Sequence, residues 1–283
     1  MRFGHGRRIT VIWLVSAAIG MTLVATVLLP YLPPGTDSLE ATGQRFDNEV
    51  LMLVSVLVVT GIVSFFAYVL IVFRERSVEG DLDGPALRGH AGAQTAWVVS
   101  TTLVVLSLAG FGTYELLDGA GGGQGSNPIF VPAETATTPG GKPVPPLQVQ
   151  VIAQQWQFTY RYPSEGGFES SSFVLPVNRE VELHVTSLDV IHSFWVPTLG
   201  LKADANPGVD NIAYITATHL GPVQIHCAEL CGLFHGYMFD TGRIVSGPAF
   251  TAWASSERRF LAPVTRYLPH YADSYLPAPA FRG

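Results

Sequence analysis

The chain has 283 residues, 48% of them hydrophobic and 13% charged, and a mean hydropathy of +0.30. That balance is too apolar for an ordinary soluble domain and too polar for a pure bundle of membrane helices, so it predicts one small soluble domain joined to a few membrane helices. The formal net charge of −6 speaks against a nucleic-acid partner and suits a basic protein partner instead.

In chain order, three uncharged apolar stretches come first, at residues 9–32, 50–73 and 91–114. Each reaches the roughly 20 residues needed to cross a bilayer. The first follows Arg2, Arg7 and Arg8, like the charged start of a signal peptide. Its apolar run exceeds the usual signal core of about 7–15 residues and no small-x-small cleavage site ends it, so a retained helix is expected. Arg74, Arg76 and Arg88 occupy the short loop between the second and third stretches. The positive-inside rule makes that loop cytoplasmic and brings the chain out on the opposite face after Tyr114.

Residues 118–146 are rich in Gly and Pro and read as a linker. From Leu147 the periodicity becomes that of β-structure, with Leu147, Val149 and Val151 alternating with polar residues. Trp156, Phe158, Tyr160 and Tyr162 fall on one face of the next run, and Gln155, Gln157, Thr159 and Arg161 on the other. Further strands are expected at 180–187, 212–217, 222–226 and 243–246, which together indicate a sandwich or Greek-key barrel. A short helix is expected at 249–260, followed by a tail rich in Pro and Tyr. No C-x-x-C-H haem attachment signature is present in the sequence.

The chain's two cysteines both lie in Cys227-Ala228-Glu229-Leu230-Cys231-Gly232-Leu233-Phe234-His235-Gly236-Tyr237-Met238. A disulfide across this spacing would close a tiny loop, stabilise little and leave His235 and Met238 without a purpose. Structural zinc takes Cys and His but has no use for Met. Copper fits the mixture of thiol, imidazole and thioether better. Two thiolates exceed the need of a mononuclear electron-transfer copper but could bridge two ions, with Met238 as a weak axial ligand to one and the carbonyl of Glu229 to the other. A second imidazole must then come from elsewhere. His192, in a strand-like apolar run, is the leading candidate, with His184, His219 and His226 as rivals; His226 adjoins Cys227 and should point the other way in an alternating strand.

The pattern C-x-E-x-C-x3-H-x2-M, preceded by His192-Ser193-Phe194-Trp195-Val196-Pro197, resembles the copper A site of cytochrome c oxidase subunit II. Leu201-Lys202-Ala203-Asp204-Ala205-Asn206-Pro207-Gly208 resembles that family's K-x-D-A-x-P-G segment, and Gln155-Trp156-Gln157-Phe158-Thr159-Tyr160 its aromatic Q-W-x-W-x-Y run. The likeness covers roughly residues 45–250.

The resemblance implies membrane helices, two and here three, followed by a cupredoxin-like Greek-key β-barrel. It implies binuclear copper A held by His192, Cys227, the Glu229 carbonyl, Cys231, His235 and Met238. The Glu229 side chain resembles one that reaches magnesium at the border with subunit I, and Trp156 matches the aromatic that admits electrons from cytochrome c. The function implied is to accept those electrons and pass them to haem in subunit I. There, beside copper B, oxygen is reduced to water with proton translocation; this chain itself binds no haem. The partners implied are subunits I and III, cytochrome c and membrane lipid, in a bacterial cell membrane with the copper domain on its outer, periplasmic or extracellular, face.

The expected organisation is an N-terminal apolar segment (transmembrane helix or signal peptide) and outer loop at 1–48, a transmembrane hairpin at 49–117, the linker at 118–146, the copper domain at 147–247 and a helix with tail at 248–283. Three residues depart from the family pattern. Phe158 replaces the second Trp of the aromatic run, and Val209 stands where an Arg often follows the P-G pair. Gln94, aligned on Ala96-Trp97, stands where the family often carries a Glu at the mouth of a proton path, and an amide cannot titrate. Glu79, Asp81 and Asp83 lie in the loop nearby.

Overall fold

The computed structural model describes residues 4–74, 89–118 and 145–268. The arginine-bearing loop with Glu79, Asp81 and Asp83, most of the linker and the Pro/Tyr-rich tail lie outside the described residues. The chain divides into two compact units, residues Met1–Leu32 with Phe46–Glu115, and Pro33–Arg45 with Leu116–Gly283.

In the first unit, helix α1 (His5–Leu23) continues through a π-turn (Val24–Leu28) and a 3-10 turn (Leu29–Tyr31). Helix α2 is Leu39–Val72 and α3 is Ala91–Asp118. All three are long and apolar enough to cross a membrane. Helix α2 starts well ahead of the apolar run at residue 50, because Glu40, Arg45 and Glu49 favour helix as readily as an apolar segment does. Helices α1 and α2 meet through small residues. A Cβ on Gly20 would stand 2.9 Å from a Val56 methyl, and one on Gly61 would stand 3.1 Å from Trp13 Nε1. Trp13 Nε1 donates to the Leu57 carbonyl at 2.9 Å, and the Ser16 and Ser64 hydroxyls pair at 3.1 Å.

Among the described residues, the second unit has ten strands: β1 (Leu147–Gln154), β2 (Gln157–Tyr162), β3 (Phe168–Ser170), β4 (Val174–Pro176), β5 (Glu180–Ser187), β6 (His192–Val196), β7 (Leu201–Ala205), β8 (Asn211–Thr216), β9 (Gly221–Cys227) and β10 (Phe239–Val245). They form two five-stranded sheets, ordered β3-β2-β1-β5-β8 and β4-β10-β9-β6-β7. Alternating residues fill the space between them: Val149, Val151, Tyr160, Val181, Leu183 and Val185 from one sheet, Phe194, Val196, Ala203, Ile225 and Ile244 from the other. Aromatic rings tie the layers together, with Phe158 and Tyr160 at 5.2 and 6.1 Å from Phe194. Trp156 departs from the alternation expected of it. It sits in the turn before β2, partly buried, while Phe158, Tyr160 and Tyr162 face inward.

Two additions pack on the sandwich. Residues 33–45 strap onto it: Gly35 N and Asp37 N donate to the carbonyls of Pro197 and Thr198, both at 3.0 Å, and Thr218 N returns a bond to Asp37 O at 2.8 Å. Helix α4 (Gly247–Thr265) begins at the Ser246 cap with Pro248 in its first turn. It buries Phe250 and Ala254 and sets Trp253 edge-on to Tyr162 at 5.0 Å.

Candidate metal centre

Strand β9 ends at Cys227 and β10 begins at Phe239, so the segment carrying both thiols is the loop between two neighbouring antiparallel strands. Backbone bonds pin its base: Cys227 N donates to Met238 O at 3.0 Å, and Ala228 N to Ser193 O at 2.9 Å. A 3-10 turn (His235–Tyr237) turns the chain back. Strand β6 lies on the other side of β9, with Phe194 opposite Cys227, which places His192 at the mouth of the loop.

Both cysteines are free thiols, with Sγ atoms 3.8 Å apart. His192 Nδ1 lies 3.9 Å from Cys227 Sγ, and His235 Nδ1 lies 3.5 Å from Cys231 Sγ. Met238 Sδ is 3.7 Å from Cys231 Sγ, and the Glu229 carbonyl is 3.2 Å from Cys227 Sγ. The ligand atoms of His192, Cys227 and Cys231 all lie within 4.8 Å of one another, a group able to hold a metal ion. His192 is fully buried, Cys231 is 3% and Met238 2% exposed. Burial, then the hydrogen bond and charge of Cys227, push the Cys231 thiol up to about 12. A metal that takes Cys231 as a thiolate must displace its proton.

The donor set suits copper. Thiolate and thioether are soft, imidazole is shared by several metals, and among the described residues no carboxylate oxygen joins the group as a hard cation would require. The sulfur separation of 3.8 Å is less than twice a metal–thiolate bond of about 2.3 Å, so one ion can touch both.

The rival histidines are placed elsewhere. His184 is buried on the other sheet, with Nδ1 2.8 Å from Asp210 and Nε2 3.5 Å from Glu182. Burial pulls its imidazole down, but the bonds and charges of these two carboxylates prevail and raise it to about 9. His219 pairs with its neighbour Thr218 at 2.9 Å. His226 faces away from the thiols, its ring 6.0 Å from Trp195. Trp156, by contrast, is at the site. Its indole N–H and the Gln155 amide both donate to the Cys231 carbonyl, at 3.2 and 2.8 Å, and its ring meets Phe234 edge-on at 4.8 Å. The Glu229 side chain is exposed.

Two contributors escape a reading of the sequence. Asp189 accepts from Gln155 N and Val190 N, both at 2.7 Å, and lies 2.9 Å from His192 Nε2. Burial raises its carboxyl, but those backbone bonds and His192 hold it below its ordinary value. The only prior signal is its place three residues before His192. Gly232 has φ +115, and a Cβ there would come 2.9 Å from Gln155 Nε2. Its signal is its position directly after Cys231.

Fold and site together define a membrane-anchored, cupredoxin-like protein with a thiol-rich group able to hold a metal. Residues 169–241 match the family "Cytochrome C oxidase subunit II, periplasmic domain". The chain is 39% identical over 134 residues to cytochrome c oxidase subunit 2 of Thermostichus vulcanus, covering 47% of this chain and 39% of that protein. It is 30% identical over 203 residues to the Synechocystis protein of the same name, covering 60% of this chain and 59% of that one. Against the crystal structure of the periplasmic domain of subunit II of cytochrome oxidase from Bradyrhizobium japonicum, identity is 31%, coverage is 42% of this chain and 97% of that domain, and the TM-score is 0.40. The chain belongs to the cytochrome c oxidase subunit II family. It spans 39% to 59% of the length of these curated relatives.

Proposed function

We propose that this chain is the electron-accepting subunit of a respiratory haem–copper oxidase, taking electrons from cytochrome c at a binuclear copper A centre and passing them to haem in subunit I. One observation carries the reading: two free thiols 3.8 Å apart, each with its own imidazole, with a thioether and a backbone carbonyl close by. His192, Cys227, Cys231, His235, Met238 and the Glu229 carbonyl would hold the metal. When bound, a binuclear copper centre supplies reversible one-electron exchange without bond making or breaking.

The residues do the rest. Ligands fixed at the ends of β6, β9 and β10 move little when the oxidation state changes, which keeps reorganisation small. Trp156 is partly buried at the site, and its N–H bond to the Cys231 carbonyl would offer a short route from the indole to a thiol that would hold the metal. Leu230, Leu233, Phe234 and Tyr237 are exposed around it by 78, 84, 47 and 76%, an apolar face suited to a transient partner. The exposed Glu229 side chain is free to reach a magnesium ion held with subunit I. The three apolar helices anchor the chain, and the arginine-bearing loop supports, by the positive-inside rule, a metal domain on the outer face, in this reading that of a bacterial cell membrane. Residues 147–247 then form the copper domain and 49–117 the membrane hairpin. Subunit III and membrane lipid are further partners in this reading, and oxygen reduction with proton translocation belongs to the assembled complex.

A quinol oxidase subunit II would share the fold but needs no copper donors, and the complete donor set disfavours it. The test is metal analysis and electron paramagnetic resonance on the full chain in detergent. Two coppers and a mixed-valence spectrum spread over both metals are expected; one copper, or zinc, would refute the assignment.

A further inference from the structure

Asp189 lies in the turn between β5 and β6, with 32% of its side chain exposed. Its two oxygens hold two different parts of the site. Oδ1 stands 2.9 Å from His192 Nε2 and also accepts from Val190 N at 2.7 Å and Ser187 Oγ at 3.3 Å. Oδ2 accepts from Gln155 N at 2.7 Å. Gln155 in turn precedes Trp156, and both side chains bond the Cys231 carbonyl. A closed circuit results: carboxylate to His192, His192 to Cys227, across the two thiols, and back through Cys231, Gln155 and Trp156 to the carboxylate.

We propose that Asp189 is the positioning residue of this centre, orienting and polarising His192 while fixing the turn that carries Trp156; the proposal rests on the copper reading above. An acceptor at Nε2 keeps the proton on that nitrogen. The lone pair is then on Nδ1, which faces Cys227 Sγ at 3.9 Å. An anionic acceptor also makes the imidazole a stronger donor, and such partners of metal-bound histidines tune the metal. A stronger donor favours the oxidised centre, so the carboxylate lowers the midpoint potential. Because Oδ2 holds Gln155, the same group keeps the indole in register with the thiolate it serves.

The test compares Asp189→Asn and Asp189→Glu with the unchanged chain in the assembled oxidase. Asp204→Asn is the charge control, since Asp204 accepts from Ser193 Oγ at 2.7 Å and bonds no ligand. Wild type must first carry two coppers; if it does not, the parent reading fails and not this one. With Asp189→Asn we expect retained copper, a raised midpoint potential, altered hyperfine coupling from one imidazole and changed Trp156 fluorescence. Asp204→Asn should leave the coupling and the fluorescence unchanged. Asp189→Glu keeps the charge on a longer arm and should give a smaller shift of the same kind, which preserves the test if Asp189→Asn does not assemble. An unchanged potential and spectrum in both Asp189 variants, with only a salt-dependent loss of donor binding, would reduce Asp189 to a surface charge and overturn the proposal.

Discussion

The indole of Trp156 donates to the backbone carbonyl of Cys231 at 3.2 Å, which joins a half-exposed aromatic to a buried thiol through one hydrogen bond. Trp156→Phe keeps an aromatic ring but removes the donor. Copper content and folding should be unchanged. Electron uptake from reduced cytochrome c should slow by about tenfold, the equivalent of about 1.4 kcal/mol of barrier, in stopped-flow absorbance. Loss of copper or of folding would show that the residue serves packing instead.

Gly232 makes that arrangement possible. Gly232→Ala places a Cβ 2.9 Å from Gln155 Nε2 at φ +115, a conformation that costs a non-glycine residue about 1–3 kcal/mol. The variant should melt at lower temperature, and its Trp fluorescence should shift to the red as the indole loses its seat. An unchanged melting curve and emission maximum would show that the loop relaxes freely.

The ligand set makes a graded prediction. In the proposed centre, Cys227→Ser and Cys231→Ser would each remove a thiolate donor and should abolish the mixed-valence spectrum. Met238→Leu would remove only the thioether, the weaker donor in that reading, and should leave two coppers at an altered potential. If Met238→Leu lost copper as completely as either cysteine variant, the thioether would be a principal ligand. Metal analysis beside the spectrum separates these outcomes.

Much of this centre is legible in the chain because Cys227, Cys231, His235 and Met238 sit within one short segment, where spacing alone suggests a shared ion. His192 is different. An imidazole in an apolar run carries no local mark of its partners, and only the resemblance decides between it and His184, which the fold buries between Asp210 and Glu182. Asp189 is harder still, since a carboxylate in a turn has the same local signature whether it caps a backbone or orients a ligand. Strands β3 and β4, of three residues each, are too short to show a period. The parallel pairing of β1 with β5 joins segments across sequence that no window spans. The docking of residues 33–45 on the β unit is equally invisible to hydropathy, which marks only the apolar runs on either side.

His184 gives the β unit a pH dependence. Its folded value of about 9, against an ordinary 6.5, reflects burial overcome by the Asp210 and Glu182 carboxylates. A raised histidine stabilises the fold fully below its unfolded value, and that contribution is lost as pH rises through the folded one. Stability should therefore decline between pH 6.5 and 9, by an amount on the order of 3 kcal/mol at most. His184→Gln should be less stable at pH 6 and flatter across this window in denaturant titrations. An equally steep decline in the variant would assign the dependence to another group.

The contacts between α1 and α2 predict that the first helix remains in the mature protein. Trp13, Ser16 and Gly20 on α1 meet Leu57, Ser64 and Val56 on α2 through two hydrogen bonds and a glycine approach. These contacts are spread over two turns of α1, and bonds of this kind in lipid are worth about 0.6–2 kcal/mol each. A segment removed on export has no use for a matched face on the helix it leaves behind. N-terminal sequencing of the purified complex should find a start ahead of α1. Gly61→Leu, which drives a side chain into Trp13, should lower the yield of assembled oxidase while leaving the metal spectrum of the surviving fraction unchanged. A mature start beyond Pro30 would show that α1 is cleaved and that its packing on α2 has no place in the working protein.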